Sequence, residues 1–369
     1  MVPAYLHQAR AVMRLSLLTL MALAAAATPV TANDPPLPNT EFLPILSYDT
    51  DAGLGYGLKF FAVGHLGMRE SFDLILFNST RGERWYRLVF SLPDFELRQG
   101  TQYAAAVDLT VDYDKWISNN FFGVGNRAPF DARETYTREP FEVTVVASRG
   151  FSTVLVGQAG VRWWWVQNSN FEPESVLPSL PPAVNAGKAT SLSLTASFRW
   201  DTRNSFVDPS AGLVLQADME VAPRLGWTTT AFSRFGGTAQ WYQPLFDTSA
   251  VLALRFLGQG IAGDDIPVQM MLPIGGNRTV RGLVQDRYLD RVSAVANMEI
   301  RFPIWWRLRG VAGIDAGKVW HLPGEIDLVR WPVCAVVGLR LAMDTFIVRL
   351  DLGFSNESTG FYLNFGQLF

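Results

Sequence analysis

Residues Phe361 to Phe369 read F-Y-L-N-F-G-Q-L-F, an alternating aromatic and apolar stretch at the end of the 369-residue sequence. Successive strand residues point to opposite faces, so this pattern describes a β-strand with one strongly apolar side. An uncovered hydrophobic edge invites pairing with other chains. A membrane barrel, by contrast, must finish on a strand, because closure requires the last strand to pair with the first. On this segment alone the buried final strand of a soluble sheet stays open as the alternative.

The amino-terminal segment points the same way. Arg10 and Arg14 precede an apolar run from Leu15 to Ala27, and Val30, Thr31 and Ala32 offer a small-residue cleavage site before Asn33. The run is shorter than the ~20 residues of a spanning helix. We therefore expect a signal peptide at 1–32, a short periplasmic lead at 33–40 and a barrel over 41–369. Loss of residues 1–32 removes two arginines and no acid, taking the formal charge from -3 to -5. Such a balance supplies no basic patch for nucleic acid.

Hydrophobic residues make up 49% of the chain, yet no later apolar run approaches the length of a membrane helix. High apolar content without long runs fits alternating strands. The 25 Phe, 12 Trp and 10 Tyr suit interfacial girdles. Cys334 is the sole cysteine, which excludes an intrachain disulfide and a thiolate metal site.

Period-two alternation recurs along the chain. Leu213, Leu215, Ala217, Met219 and Val221 share one face, whereas Gln216, Asp218 and Glu220 share the other. Carboxylates cannot face lipid, so in a barrel they face the lumen. The same alternation sets Asn297, Glu299 and Arg301 against Ala296, Met298 and Ile300, and Arg349 and Asp351 against Val348, Leu350 and Leu352. Sixteen such segments can be placed, from 43–50 to 360–369 and including 102–114 and 140–149. Many reach the ~9–11 residues that a tilted transmembrane strand needs, and an even count suits a single-chain bacterial barrel. Tight turns at Thr50–Ala52, Arg81–Gly82 and Met343–Asp344 contrast with long connections at 115–139, 167–189, 260–290 and 320–331. The predicted fold is all-β: a sixteen-stranded antiparallel transmembrane barrel with a long loop between strands 11 and 12.

Residues 273–282 read P-I-G-G-N-R-T-V-R-G, followed by E-I-R-F-P-I at 299–304 and G-I-D-A-G at 313–317. With F-F-G-V-G-N at 121–126, D-T-R-N and D-P-S-A-G between 201 and 212, and the phenylalanine-ended strand, the chain resembles the BamA/TamA outer-membrane family of bacterial surface antigens. The resemblance implies that the loop bearing Val280, Arg281 and Gly282 folds back into the barrel and that Arg281 pairs with Asp315. It also implies that Phe361, Phe365, Gly366 and Phe369 form a signal read by the barrel-assembly machinery; alternation itself leads us to expect Phe361, Leu363, Phe365 and Phe369 on one face, toward lipid or the seam. The expected role is insertion or translocation of protein or lipid in the outer membrane, with a passive pore or structural barrel as the alternative. The expected partners are outer-membrane lipids and the assembly machinery. Two departures stand out. Leu283 replaces the family's aromatic residue after V-R-G, and about ten residues before the first strand leave no room for POTRA domains, so a separate periplasmic partner would supply their function.

A loop of about thirty residues is unusual unless it is functional or packed. A planar guanidinium can fix one by bidentate bonding to a carboxylate. Catalysis finds little support: beyond the signal segment the histidines are His65 and His321, and there is no G-x-S-x-G or H-E-x-x-H. An outer-membrane hydrolase is the least favoured reading, and no catalytic, cofactor or metal residues are assigned. The glycine-rich loop lacks the G-K-S/T ending that cradles phosphates. A closed barrel predicts heat-modifiable migration on gels and β-rich circular dichroism in detergent; a water-soluble monomer without detergent would refute it.

Overall fold

The computed structural model of the protein describes residues 38–180, 187–245, 250–264, 266–343 and 346–369. The expected signal peptide, most of the lead, Pro181, Pro182 and Asp344 lie outside them. The strands are β1 (Asn39–Asp49), β2 (Gly53–Val63), β3 (Ser71–Ser79), β4 (Arg84–Leu92), β5 (Tyr103–Phe121), β6 (Glu134–Gly150), β7 (Leu155–Ser169), β8 (Lys188–Asp201) and β9 (Gly212–Ala222). They continue with β10 (Phe232–Leu245), β11 (Ala250–Ala262), β12 (Leu272–Ile274), β13 (Tyr288–Asp290), β14 (Val292–Trp305), β15 (Leu308–Trp320), β16 (Val333–Ala342), β17 (Ile347–Phe354) and β18 (Thr359–Phe365). All but β12 and β13 close one antiparallel barrel of sixteen strands, each beside its sequence neighbours. The pair β12–β13 is a separate hairpin within the connection from β11 to β14.

Side-chain alternation sets the two faces. On β9, Leu215 and Met219 are exposed on the outside, whereas Glu220 is 8% exposed and bonds Ser193 at 2.6 Å and Arg162 at 3.2 Å inside the barrel. Arg162 also reaches Glu142 at 2.5 Å, so the inner wall of β6 to β9 carries a ladder of opposite charges. The outer wall presents Leu58, Leu76, Leu88, Leu194, Phe198, Phe235 and Phe256. Outward apolar and inward polar residues are what a membrane barrel requires. The three consecutive tryptophans follow suit: Trp164 is buried inside, while Trp163 packs edge-on against Phe141 on the outer face.

With sixteen strands, Asn39 and Phe365 stand at one rim, called here the near end; the long connections crowd the far end. Three details depart from the sequence reading. Strand β1 begins at Asn39, inside the segment assigned as a lead. Strands β5 and β6 extend to Phe121 and from Glu134, across much of the connection placed at 115–139. A register shift between Trp116 and Asn119 breaks the alternation there, which hides the strand from a period-two reading.

The third departure concerns the opening motif. Strand β18 ends at Phe365, four residues early, because Gly366 takes a left-handed φ of +83° and turns the chain off the wall. Phe361 and Phe365 stay on the outer face, packing against Tyr48 and Phe346. Phe369 does not. It folds into the lumen, 7% exposed, against Tyr242, Val251 and Ala253. The two faces of β8 give a direct check: Leu194→Arg should cost roughly 2–4 kcal/mol if that face meets lipid, whereas inward Thr195→Arg should cost far less. Urea unfolding in lipid vesicles measures both, and equal costs would contradict the assigned faces.

Candidate functional site

The connection from β11 to β14 enters the lumen from the far end. Its hairpin strand β12 leads into Gly275 and Gly276, both at positive φ, which turn the chain toward Val280 and Arg281. Ile274, Val280, Leu283 and Tyr288 pack on Val295, Val319 and Cys334 of the inner wall. Leu283, where the resemblance leads one to expect an aromatic ring, is 3% exposed and fills this contact with an aliphatic side chain. Gly282 has φ +101°, and its carbonyl accepts the hydroxyls of Ser355 at 2.9 Å and Ser358 at 2.6 Å. On β17, a Cβ at Gly353 would collide with the backbone of Arg281 and Gly282. Glycine on both sides permits this approach.

Arg281 is fully buried and serves three carboxylates. Its Nε and Nη2 donate to Asp315 at 2.8 and 3.0 Å, and its backbone N–H donates to the same carboxylate at 3.0 Å. Its Nη1 reaches Glu299 at 2.7 Å and Asp351 at 2.9 Å. Arg301 bonds Glu299 at 2.8 Å, while Arg340 joins Glu299 at 3.2 Å to Asp351 at 2.6 Å. Taking such charges out of water costs several kcal/mol per ion, so their retention depends on each facing an opposite charge. The arrangement clamps the loop tip to β14, β15 and β17 at once.

Thus Val280, Arg281, Gly282 and Asp315 meet at one point in the lumen. The sequence reading placed Glu299, Arg301 and Asp351 on inward faces without joining them to this site, and it did not name Arg340. Their signal was present: each is a charge on the inward face of an alternating strand. Register supplies the rest, setting Asp315 opposite Asn297, Glu299 opposite Gly313 and Gly338 opposite Asp351. Gly338 leaves space that a Cβ would take from Asp351 and Arg340.

At the far end, the connection between β5 and β6 spans the mouth. Asn126 exchanges hydrogen bonds with the backbone of Val319 on β15, eight strands around a sixteen-stranded barrel and therefore on the opposite wall. Arg287 holds this bridge, donating to the Ala128 carbonyl at 3.0 Å and to both oxygens of Glu357 at 2.6 and 2.7 Å. Phe122, Phe130 and Tyr288 surround its guanidinium. The far-end connections also build an apolar core that includes Phe121, Trp164, Leu177, Ile266, Met270 and Leu289. In the turns beside the loop tip, burial with Asp49 nearby pushes the Asp51 carboxyl up to about 6. Burial and Asp114 push that of Glu83 up to about 8.

The seam between first and last barrel strands is different in kind. Strands β1 and β18 share only the pairs Tyr48↔Leu363 and Asp49↔Tyr362, whereas β17 and β18 share seven. Thr50 adds hydrogen bonds to Phe361 at the far end. From Asn39 to Ser47, β1 pairs with β2 alone.

His65 bonds Thr40 at the near end and His321 faces Asp290 at the far end, so they share no site. Among the described residues no group of His, Cys, Asp or Glu is arranged to hold a metal ion. Asp201 and Arg203 form a paired turn at 2.7 Å, with Asn204 accepting from the backbone of Ser210 and Ala211.

The charge cluster makes a quantitative statement. Glu299 and Asp351 retain other arginines when Arg281 is lost, but Asp315 pairs with Arg281 alone among the ion pairs of the described residues. Arg281→Met should therefore cost about 3–5 kcal/mol by stranding Asp315. Adding Asp315→Asn should recover part of that loss. A double-mutant cycle on urea unfolding in detergent measures the coupling, and strict additivity would contradict the assignment.

Residues 66–369 match the Omp85 superfamily domain. No curated protein matches the chain. Among solved structures, BamA from Haemophilus ducreyi lacking POTRA domains 1–3 superposes with a TM-score of 0.67 at 14% identity, over 91% of this chain and 71% of that one. CdiB from Acinetobacter baumannii gives 0.54 at 15% identity, covering 88% of this chain and 65% of that one. CdiB from Escherichia coli gives 0.62 at 12% identity, covering 90% and 63%. The chain thus spans just under two thirds of each CdiB. At these identities the superpositions establish the barrel fold; the domain match, which takes in the loop, the buried charge cluster and β18, establishes that the chain belongs to the Omp85 superfamily.

Proposed function

We propose that this protein is an outer-membrane insertion or translocation factor that handles polypeptide at the β1–β18 seam. The observation that carries this reading is the two-pair seam, which leaves the backbone of Asn39–Ser47 without a strand partner on that side. In hydrocarbon an unpaired strand edge is costly, and an incoming strand would satisfy it by main-chain pairing. The near end is then periplasmic. Trp305 and Trp306, 74% and 75% exposed at the β14–β15 turn, suit the membrane interface there. On this reading Arg281 and Asp315 act as a lumenal lock that keeps the loop in place while the seam moves. Outer-membrane lipids surround the barrel, the assembly machinery inserts it by recognising its last strand, and a periplasmic partner delivers substrate.

The passive-pore alternative is less well supported. Against it stand the bridge from Asn126 to Val319, which joins opposite walls at the far mouth, and the apolar side chains packed among the far-end connections. Tyr48→Cys with Leu363→Cys would staple the seam at a paired position. In liposomes, the oxidised protein should lose the ability to speed insertion of a small unfolded β-barrel client, and reductant should restore it. Unchanged acceleration by the stapled protein would overturn the proposal. Large steady conductance in planar bilayers would favour the pore.

A further inference from the structure

Whereas the connections after β5 and β11 fold over or into the lumen, the one between β15 and β16, residues 321–332, folds down the outside of the wall. Asp315 and Val319 point inward, so alternation puts Lys318 and Trp320 on the outer face of β15. Trp331 returns over that face, packing edge-on against Trp320 with ring centroids 5.7 Å apart, beside Val292 and Ala294 of β14. Pairing between β15 and β16 stops at Ala316↔Val333, and the Gly317 N–H donates to the Pro332 carbonyl at 3.3 Å just beyond it.

The polar groups of this connection are spent on the wall and on its own backbone. Lys318 Nζ donates to Asp327 at 2.6 Å and to the Val329 carbonyl at 2.9 Å, while Trp331 Nε1 donates to the Asp327 carbonyl at 3.0 Å. Glu325 accepts from the N–H groups of His321 and Leu322. Outside stand Leu322, Ile326 and Val329, each more than half exposed, and Leu328 at 86%. A loop in water arranges itself the other way, and a contiguous exposed apolar patch marks a surface that something apolar covers.

Position selects what covers it. Val333 and Ile314 carry the patch without a break onto the lipid-facing wall. Ala316 stands ten residues beyond Trp306, the exposed ring at the near rim. At ~3.3 Å per residue and a strand tilt of ~40° that separation rises about 25 Å, the height of a barrel's apolar band. Val333, opposite Ala316, therefore marks the far edge of the band, and the connection lies where acyl chains give way to headgroups. Irregular backbone is excluded from the hydrocarbon itself, which limits the depth to this layer. Trp320 and Trp331 are residues favoured there, and the exposed Arg330 can extend to headgroups and water.

We propose that residues 321–332 form a membrane-seating loop that binds lipid of the far leaflet. Leu322, Ile326, Leu328 and Val329 lie among the acyl chains next to the headgroups, and the Lys318–Asp327 pair is held beneath them. Such a seat fixes the height of the β14–β16 wall in the bilayer. The proposal depends on the barrel and its lipid-facing wall, not on opening of the seam.

The test places an environment-sensitive nitrobenzoxadiazole dye on Leu328→Cys, in a Cys334→Ala background, with the full chain in vesicles of phosphatidylcholine and phosphatidylglycerol. Leu194→Cys on the outer wall and Glu174→Cys in the exposed connection after β7 are the lipid and water references. Heat-modifiable migration verifies that each variant is a closed barrel, and Ile326→Cys gives an independent second position. At Leu328→Cys the emission should shift to the blue of Glu174→Cys. Phosphatidylcholine brominated near the glycerol should quench it as strongly as it quenches Leu194→Cys, and lipid brominated near the chain terminus should quench it less. Quenching by aqueous iodide without quenching by brominated lipid overturns the proposal. A dye shielded from both quenchers also overturns it, because protein, either a second copy or a partner, then covers the patch. If Leu194→Cys escapes the brominated lipid as well, the lipid-facing wall fails together with the loop, a result distinguishable from failure of the loop alone.

Discussion

Closure of the backbone hydrogen-bond network is the constraint on which everything else in this barrel rests. In an apolar surround each strand edge must find a partner, because no water is present to satisfy its N–H and C=O groups. Fifteen of the sixteen barrel interfaces meet the demand with at least seven register pairs, and one meets it with two. The deficit is local. At this register Gly366 to Phe369 would have faced Ile45 to Phe42, and the inward turn at Gly366 removes those pairs; Ser47 and Leu46 go without a partner although Asn364 and Phe365 still run along β18. A single left-handed glycine therefore both shortens the seam and sends Leu368 and Phe369 into the lumen.

The lumen in turn determines how rigid the wall around that seam can be. Arg281 ties the inserted loop to β14, β15 and β17, while Gly282 accepts from Ser355 and Ser358 in the turn before β18. The half of the barrel opposite the seam strands is held by the Arg162 ladder and the far-end core. Glu299 links the two lumenal insertions directly, bonding Arg281 of the loop through one oxygen and Arg301 through the other. Arg301 then holds the Phe369 carbonyl. The loop tip and the tail are thus joined through one carboxylate and one guanidinium, both buried.

Much of this was legible in the chain, and the reason differs from element to element. Sixteen strands could be placed because lipid outside and water inside impose period-two alternation on each of them. Leu213 to Val221 shows the rule in its simplest form. The rule failed at Lys115 to Phe121, where a bulge breaks the period and polar residues extend a strand beyond the apolar band. It failed again at Phe369: the alternation continues on paper through Gly366, but a positive φ carries the chain to the other side of the wall.

By itself, then, the sequence determined the barrel, its strand count, the inward charges and the long loop, because each follows from local alternation and turn chemistry. The resemblance in V-R-G and G-I-D-A-G joined Arg281 to Asp315. Only the tertiary structure decided that Glu299, Arg301, Arg340 and Asp351 converge on the same point, that Asn126 crosses the far mouth, and that the terminal phenylalanine turns inward. Those outcomes depend on strand register around a closed ring and on one backbone angle at Gly366. Neither quantity has a local signature in the order of residues, because both are set by what lies across the barrel.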